Sequence, residues 1–356
     1  MERLIRELVK YNCVDGCIGD RRRSRQCSND WTDGLGMTAG AIARPSKSSP
    51  GLRTIDPRRD MRQVADLIEI TFRGDLDGTG RRMVREMRTL GRIGWIGFAL
   101  SRLLLPPAVR PLGFVWQEDD RIVGNASLLP VSGHPGRWVM ANVAVHPDYR
   151  RRGIAREMVS ASDELAKKAG AEATYLQVQQ HNQAALQLYR SMGYKPLTTR
   201  TTWRRSRGLS NKQPPKGVSV RQRRVSEWTQ QLALAERVSP EGLIWPHPLE
   251  PGYFRPTGLG QYIGRDAKLH LVRREAGQLV GSLSVHGTAA KRFVLLVDPA
   301  LQGQIEEPLL TYALDRIRAG KRSILMDYPS DVAVDTLRGL GFREERALTW
   351  MRHTYR

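Results

Sequence analysis

One order of short motifs occurs twice in this chain, and the repetition restricts the possible folds more than any other feature. Ile122-Val123-Gly124 recurs as Leu279-Val280-Gly281, Val145-His146-Pro147 as Val297-Asp298-Pro299, Gly193-Tyr194 as Gly341-Phe342, and Thr202-Trp203 as Thr349-Trp350. The offsets are 157, 152, 148 and 147 residues. They shrink in one direction, as loop deletions after a duplication would make them, whereas chance matches would scatter. Within each copy, strand-like runs alternate with segments of helical spacing, which predicts an α/β fold with a mixed sheet. In the first copy LGFVWQ and RIVGNASLLPV flank Glu118-Asp119-Asp120, a hairpin signal, and RWVMANVAV follows as a third strand.

The expected boundaries follow the repeat. Residues 1–51 carry RRRSRQ, a Gly-rich stretch and ARPSKSSPG, a composition that buries little apolar area and predicts a disordered basic segment. The first domain is expected over 52–204, a Pro-containing linker over 205–217, and the second domain over 218–356. With 356 residues, 40% of them hydrophobic, each half can bury its own core. Asp60 is expected to cap a helix over MRQVADLIEITF, a second helix to run from Arg81 to Leu104, and Ser226 to cap SEWTQQLALAERV. RTTWRR is expected to close the first half.

Composition narrows the class. No window reaches the ~20 apolar residues of a membrane span, and MERLIRELVKYN lacks a signal peptide's apolar centre. The expectation is a cytoplasmic protein with no membrane partner. Cys13, Cys17 and Cys27 all lie near the N-terminus, so the body cannot be disulfide-stapled, and no His stands near them to complete a zinc site. The net charge of +21 favours anionic partners. Its arginines are scattered over the whole length, however, which does not define a nucleic-acid face, and nucleic acid is not the expected partner.

Chemistry concentrates in VAVHPDYRRRGIAREMV, residues 143–159. A strand ends at Val145, a turn follows, and Arg150-Arg151-Arg152-Gly153-Ile154-Ala155 opens an amphipathic helix. The first N–H groups of a helix have no intrahelical partner, and the macrodipole is positive there. A diphosphate can take up those donors. Gly153 lets the backbone approach the ligand, Ala155 leaves the first turn unobstructed, and the arginines add charge-assisted contacts.

On these residues the chain resembles the GNAT acetyltransferase superfamily. Arg150, Gly153 and Ala155 match its Arg/Gln-x-x-Gly-x-Gly/Ala fingerprint, and LQVQQHNQAALQLYRSMGY supplies a second element through Asn182, Tyr189 and Gly193-Tyr194. The resemblance covers about residues 52–204 and implies two tandem GNAT-like acyl-CoA acyltransferase domains. It implies acetyl-CoA as co-substrate, held through the backbone of Met140 to Val145 (Val143, Ala144 and Val145 among them) and by the amides of Arg151 to Ala155. Asn182 would touch the cofactor arm, and Tyr189 would protonate the leaving thiolate. The implied activity is N-acetyl transfer by direct attack of an amine of a small molecule or protein. An acetyl-CoA-binding sensor without turnover is the alternative. The general base stays open between Glu118, Asp119, a carboxylate of the N-terminal helices, and a base acting through ordered water.

The second copy departs from this pattern. Aligning Pro299 with Pro147 puts Gln302 at Arg150, Ile305 at Gly153 and Glu307 at Ala155, with Glu306 beside it. Leu337 replaces Tyr189 and Ser330 replaces Asn182. Two carboxylates and a β-branched side chain in the loop are expected to exclude a diphosphate, leaving a degenerate half.

Overall fold

The computed structural model describes residues 50–74, 80–89, 112–131, 134–206, 220–239, 243–244, 247–248, 254–255, 269–286, 291–317 and 323–355. The expectations for residues 1–49, their cysteines, the helix beyond residue 89 and the linker from residue 207 lie outside the described residues. The chain divides into two compact units. The first holds residues up to 177 with 184–195 and 351–356, and the second holds 178–183 and 196–350. No helix among the described residues is long and apolar enough to cross a membrane.

In the first unit, β1 (Gly51–Thr54), β2 (Leu112–Glu118), β3 (Arg121–Val131) and β4 (His134–Val145) pair antiparallel in that order. β5 (Ala173–Gln179) then joins β4 in parallel. The β2–β3 hairpin turns on Asp119 and Asp120, at φ of 46° and 62°. Positive φ at both turn residues matches the right-handed twist of the strands it joins. Side chains alternate along β4. Ala144 packs with helix α1 (Met61–Thr71) through Val64, Leu67 and Ile68. Val143 and Val145 pack with Ile154 and Met158 of helix α2 (Ile154–Lys168). Helices thus cover both faces of the sheet, and the strand end that leads to the Arg-rich loop is held from either side.

Asp60 precedes α1 as expected but does not cap it. Its side chain makes no cap hydrogen bond, because the carboxylate is taken by the Arg53 guanidinium at 2.6 and 2.9 Å and by the Asp56 N–H at 2.7 Å. A charge-assisted pair outcompetes a neutral cap, and it ties β1 to the helix.

In the second unit the same plan recurs. β7 (Val220–Gln222), β8 (Leu269–Glu275), β9 (Gln278–His286) and β10 (Lys291–Val297) pair antiparallel, and β11 (Ile324–Pro329) lies parallel to β10. The next neighbour of β11 is a strand of the first repeat. β6 (Lys195–Arg205), reached through helix α3 (Gln183–Ser191), pairs with β11 antiparallel from Arg200–Pro329 to Arg205–Ile324. Trp203, fully buried, sits in the second unit's core with Phe293, Leu295 and Met326. Conversely the last strand, β12 (Phe342–Thr354), carries residues 351–354 into the first unit. RTTWRR therefore does not close the half it belongs to in sequence. The compact units depart from the expected boundaries 52–204 and 218–356 at their final strands.

Helices α4 (Trp228–Val238), α5 (Glu306–Arg316) and α6 (Val334–Gly339) also belong to this unit. Ser226 is not the cap of α4. It lies in a 3-10 turn, Val225–Glu227, and Glu227 accepts the Arg224 N–H at 2.7 Å while the Arg221 guanidinium holds its carboxyl down to about 2.

Beneath α4, the His270 ring meets Ser284 Oγ at 2.8 Å, and Gln231 donates to the same oxygen at 2.9 Å. Burial, with Arg223 and His286 adding to it, pushes His270 down from 6.5 to about 3. Between those values the unfolded chain binds a proton that the folded one refuses, so acidification favours unfolding. Urea unfolding is expected to show stability falling from pH 6.5 toward 3, with a flatter acid slope in His270→Asn. An unchanged slope in that variant would remove His270 from the account.

Candidate functional site

Val145 hands the chain to a tight turn. The His146 N–H donates to Val123 O at 2.8 Å, and a 3-10 turn follows over Pro147–Tyr149. Arg150 folds back so that its Nε donates to Val145 O at 3.2 Å. Arg151 and Gly153 then both take left-handed backbone, at φ of 66° and 82°. Among the described residues, no acceptor meets the N–H groups of 151–156. Left-handed residues between extended and helical ones curl successive amides into a concave, anion-accepting surface, and the α2 dipole adds to it. A Cβ placed on Gly153 would find nothing nearer than Glu157 Oε1 at 4.0 Å. Glycine is required there by its φ, and the space in front of it is free for a ligand.

The three arginines divide their work. Arg152 lies 4.8 Å from the Tyr149 ring centroid and 3.5 Å from Glu118. Arg150 is held by the strand end, and Arg151 is exposed with no partner among the described residues. Ile154, 2% exposed, is a core residue whose contribution to the loop is its amide, and Ala155 is half-buried. Glu118, one of the open choices for a base, also accepts Trp116 Nε1 at 3.2 Å. Its carboxylate thereby braces the loop.

Beside the loop the sheet parts. β4 pairs with β5 only from Arg137–Ala173 to Met140–Leu176, although β4 runs on to Val145. The cause is a bulge at Asn142, φ 53°, where the β3–β4 register jumps between Asn125 and Ser127. Asn125 Nδ2 donates to Asn142 O at 2.8 Å and holds the bulge. A bulge bends its strand, which leaves Val143, Ala144 and Val145 without a β5 partner among the described residues, Val145 O being taken by Arg150. Nothing in the apolar run marked this bulge; Asn142, the polar residue within it, was the available signal.

Tyr189 lies on α3, 6% exposed, and its Oη has no hydrogen-bond partner among the described residues. Burial pushes this phenol well above its ordinary value, so it keeps its proton. Asn182 is exposed, its backbone N–H donating to Gln179 O at 2.9 Å. It groups with residues 178–183 of the second unit, whereas the loop and Tyr189 belong to the first.

The second unit repeats the loop and fills it. The 3-10 turn Pro299–Leu301 and the start of α5 match the first copy at an offset of 152, and Gly303 stands left-handed at φ 83° where Arg151 stands in the first. The loop has thus kept a glycine, two places upstream of the aligned position. Ile305, expected to obstruct the loop, is 2% exposed and points into the core. The obstruction is Glu306. Its fully buried carboxylate accepts the Gly303 N–H at 2.7 Å, the Ile305 N–H at 3.1 Å and the Tyr328 hydroxyl at 2.7 Å. The chain's own anion occupies the donors that stand free in the first copy. Leu337, fully buried, offers no hydroxyl, and Ser330 Oγ accepts from Thr201.

The site is a concave row of amides at a helix start, beside a parallel strand pair that parts. Residues 92–194 match the Acetyltransferase (GNAT) family. The match marks a GNAT-family domain within residues 92–194, and the fold is that of tandem GNAT structures. The [ribosomal protein bS18]-alanine N-acetyltransferase of Escherichia coli K12 is 36% identical over 62 residues, 17% of this chain and 42% of that protein. The N-alpha-acetyltransferase 30 of Schizosaccharomyces pombe is 32% identical over 84 residues, 23% of this chain and 55% of that one. The chain thus spans about half the length of these curated relatives. Among solved structures, a GCN5-related N-acetyltransferase from Sphaerobacter thermophilus superposes at a TM-score of 0.55 and 17% identity, covering 85% of this chain and 95% of its own. A tandem GNAT protein from the clavulanic acid biosynthesis pathway gives 0.51 and 19%, covering 85% and 98%. At such identities the likeness is one of fold.

Replacing Glu306 by Ala strands two amides and a phenol without an acceptor. The Ile305 amide and the Tyr328 hydroxyl are buried, and each buried orphan costs about 1–3 kcal/mol. Glu306→Ala is expected to destabilise the protein by about 3 kcal/mol or more in urea unfolding, and a loss below about 0.5 kcal/mol would contradict the assignment.

Proposed function

We propose that the first unit transfers the acetyl group of acetyl-CoA to an amine, and that the second unit holds no cofactor. The observation that carries the reading is the row of unpartnered amides at 151–156 behind open space at Gly153. In this reading the amides of Arg151, Arg152, Gly153, Ile154 and Ala155 bind the diphosphate, with Arg150 fixing the loop to the strand and Arg151 free to pair with phosphate. The parted edge of Val143, Ala144 and Val145 aligns the pantetheine arm. Acetyl-CoA supplies the activated acyl carbon, to which the amine nitrogen bonds as the C–S bond breaks, the amine's proton passing to water. Tyr189 holds a proton at Oη for the departing sulfur, and burial keeps that proton in place until needed. Positioning supplies most of the acceleration in such a direct transfer.

The acceptor we favour is an α-amine of a protein, with a small-molecule amine as the other class. Support comes from the names of the two relatives above, which act on a ribosomal protein's alanine and on an N-alpha position. One observation favours the rival reading of a sensor without turnover: Glu118 is engaged by Trp116 and Arg152, away from amine deprotonation. Thiol release across a panel of amines and peptides separates the two.

Calorimetry with acetyl-CoA on the full chain is expected to return one site, and Gly153→Glu to abolish it by setting a carboxylate where the diphosphate belongs. A stoichiometry near two would refute the division of labour. Tyr189→Phe is expected to lower kcat by about 10²-fold with cofactor affinity nearly kept. Because the phenol sits above its ordinary 10, wild-type turnover should show no alkaline loss from Tyr189 below that pH. Equal rates in wild type and Tyr189→Phe would leave the residue a packing group.

A further inference from the structure

On the buried face of α2 stands an acid. Asp163, 7% exposed, accepts the Tyr194 hydroxyl at 2.7 Å and the Tyr355 hydroxyl at 2.7 Å on Oδ1, while Oδ2 meets His353 Nδ1 at 3.1 Å. Tyr355 also shares a hydrogen bond with the Thr174 hydroxyl, and its N–H donates to Glu172 O at 2.8 Å. His353 and Tyr355 close the second repeat in sequence, yet they belong to the first unit.

The same cluster reaches the helix that bears Tyr189. The Tyr189 and Tyr194 rings lie 5.7 Å apart, and Tyr194 and His353 lie 5.1 Å apart. The Tyr194 N–H closes the end of α3 on Tyr189 O at 3.0 Å. Gly193, at φ +91°, passes under the His353 ring, where a Cβ would come within 3.2 Å of Nε2. α3 has only 9 residues. A helix that short gains its order from tertiary packing, and here the packing at its C-terminal end is this cluster.

We propose that the chain's last residues are a positioning element for the first unit's site: His353 and Tyr355 clamp Asp163, Asp163 fixes Tyr194, and Tyr194 fixes the end of α3 and the Tyr189 phenol. The proposal rests on Tyr189 being the acid of the reading above. None of the clamp residues touches the reacting atoms in this account. Their effect is on the placement of a proton donor, and a misplacement of about 1 Å can cost 10²-fold in rate.

The test uses the full chain carrying His353→Ala, alone and with Tyr189→Phe. With Tyr189 present, kcat is expected to fall about tenfold or more while KM for acetyl-CoA changes less than about twofold, the pattern of an interaction needed only in the transition state. With Tyr189→Phe, the same substitution should change kcat by less than about twofold, since residues acting through one another are not additive. Fluorotyrosine labelling gives a second readout that needs no turnover: the Tyr189 fluorine resonance, assigned by its loss in Tyr189→Phe, should shift or broaden in His353→Ala. Equal falls in both backgrounds, or an unmoved resonance, would overturn the proposal. If His353→Ala does not fold, Tyr355→Phe removes one hydroxyl, keeps the ring and carries the same readouts. A wild-type chain that transfers no acetyl group defeats the acetyltransferase reading alone, and the resonance still decides the clamp.

Discussion

Backbone N–H groups that no acceptor meets are the constraint on which this molecule turns. In the first unit they are gathered at the start of α2 by two left-handed residues, Arg151 and Gly153, immediately after a strand held from both faces. Gly153 adopts that backbone freely, whereas Arg151 adopts it at a cost of roughly 1–2 kcal/mol. Strain of this kind persists where the surroundings over-determine it. Here the surroundings are the Arg150 bond to Val145, the His146 bond to Val123, and the Arg152 contacts with Tyr149 and Glu118. The result is a concave surface of donors, which under the proposed function a diphosphate would meet.

The two copies show one backbone solution with two occupants. Both place a 3-10 turn after the strand, both cap it with the residue before the proline, and both start a helix seven residues after that proline. In the second copy Glu306 folds onto the amides and Tyr328 secures it. A buried carboxylate is tolerated because three donors meet it. The first copy has Ile154 at that place, a side chain that goes into the core and leaves the amides bare. One aligned position thus separates a loop whose amides meet no acceptor among the described residues from one filled by its own carboxylate.

The grouping of β6 with the second unit, and of residues 351–356 with the first, is the second organising fact. β6 leaves the repeat that encodes it and buries Trp203 in the second unit's core, while the end of β12 brings His353 and Tyr355 to Asp163 in the first. Neither unit is therefore a contiguous piece of chain. A cut within 205–217 would part β6 from the second unit and residues 351–354 from the first.

Much of this was readable from residue order. Hydrophobic spacing marked the hairpin at Asp119-Asp120, the strand ending at Val145 and the helix beginning after Gly153, because those signals are local and act within a turn or a strand. The duplication was readable because offsets survive divergence. Other features depend on which partner arrives through space. Asp60 looks like a cap until Arg53 takes its carboxylate; Ile305 looks like an obstruction until the core takes its side chain; Asp163 is one more acid on a helix until three donors from distant positions close on it. The identity of β11's neighbour belongs to the same group, since a strand edge offers the same N–H and C=O groups to any strand of suitable register. The amino-acid sequence by itself determined the repeat, the main elements and the strand–turn–helix passage ahead of α2, whose physics lies in a few adjacent residues. Only the tertiary structure decided which strand closes which unit, which carboxylate is consumed and where, because hydrogen-bond partners and buried volume are assigned by proximity in space.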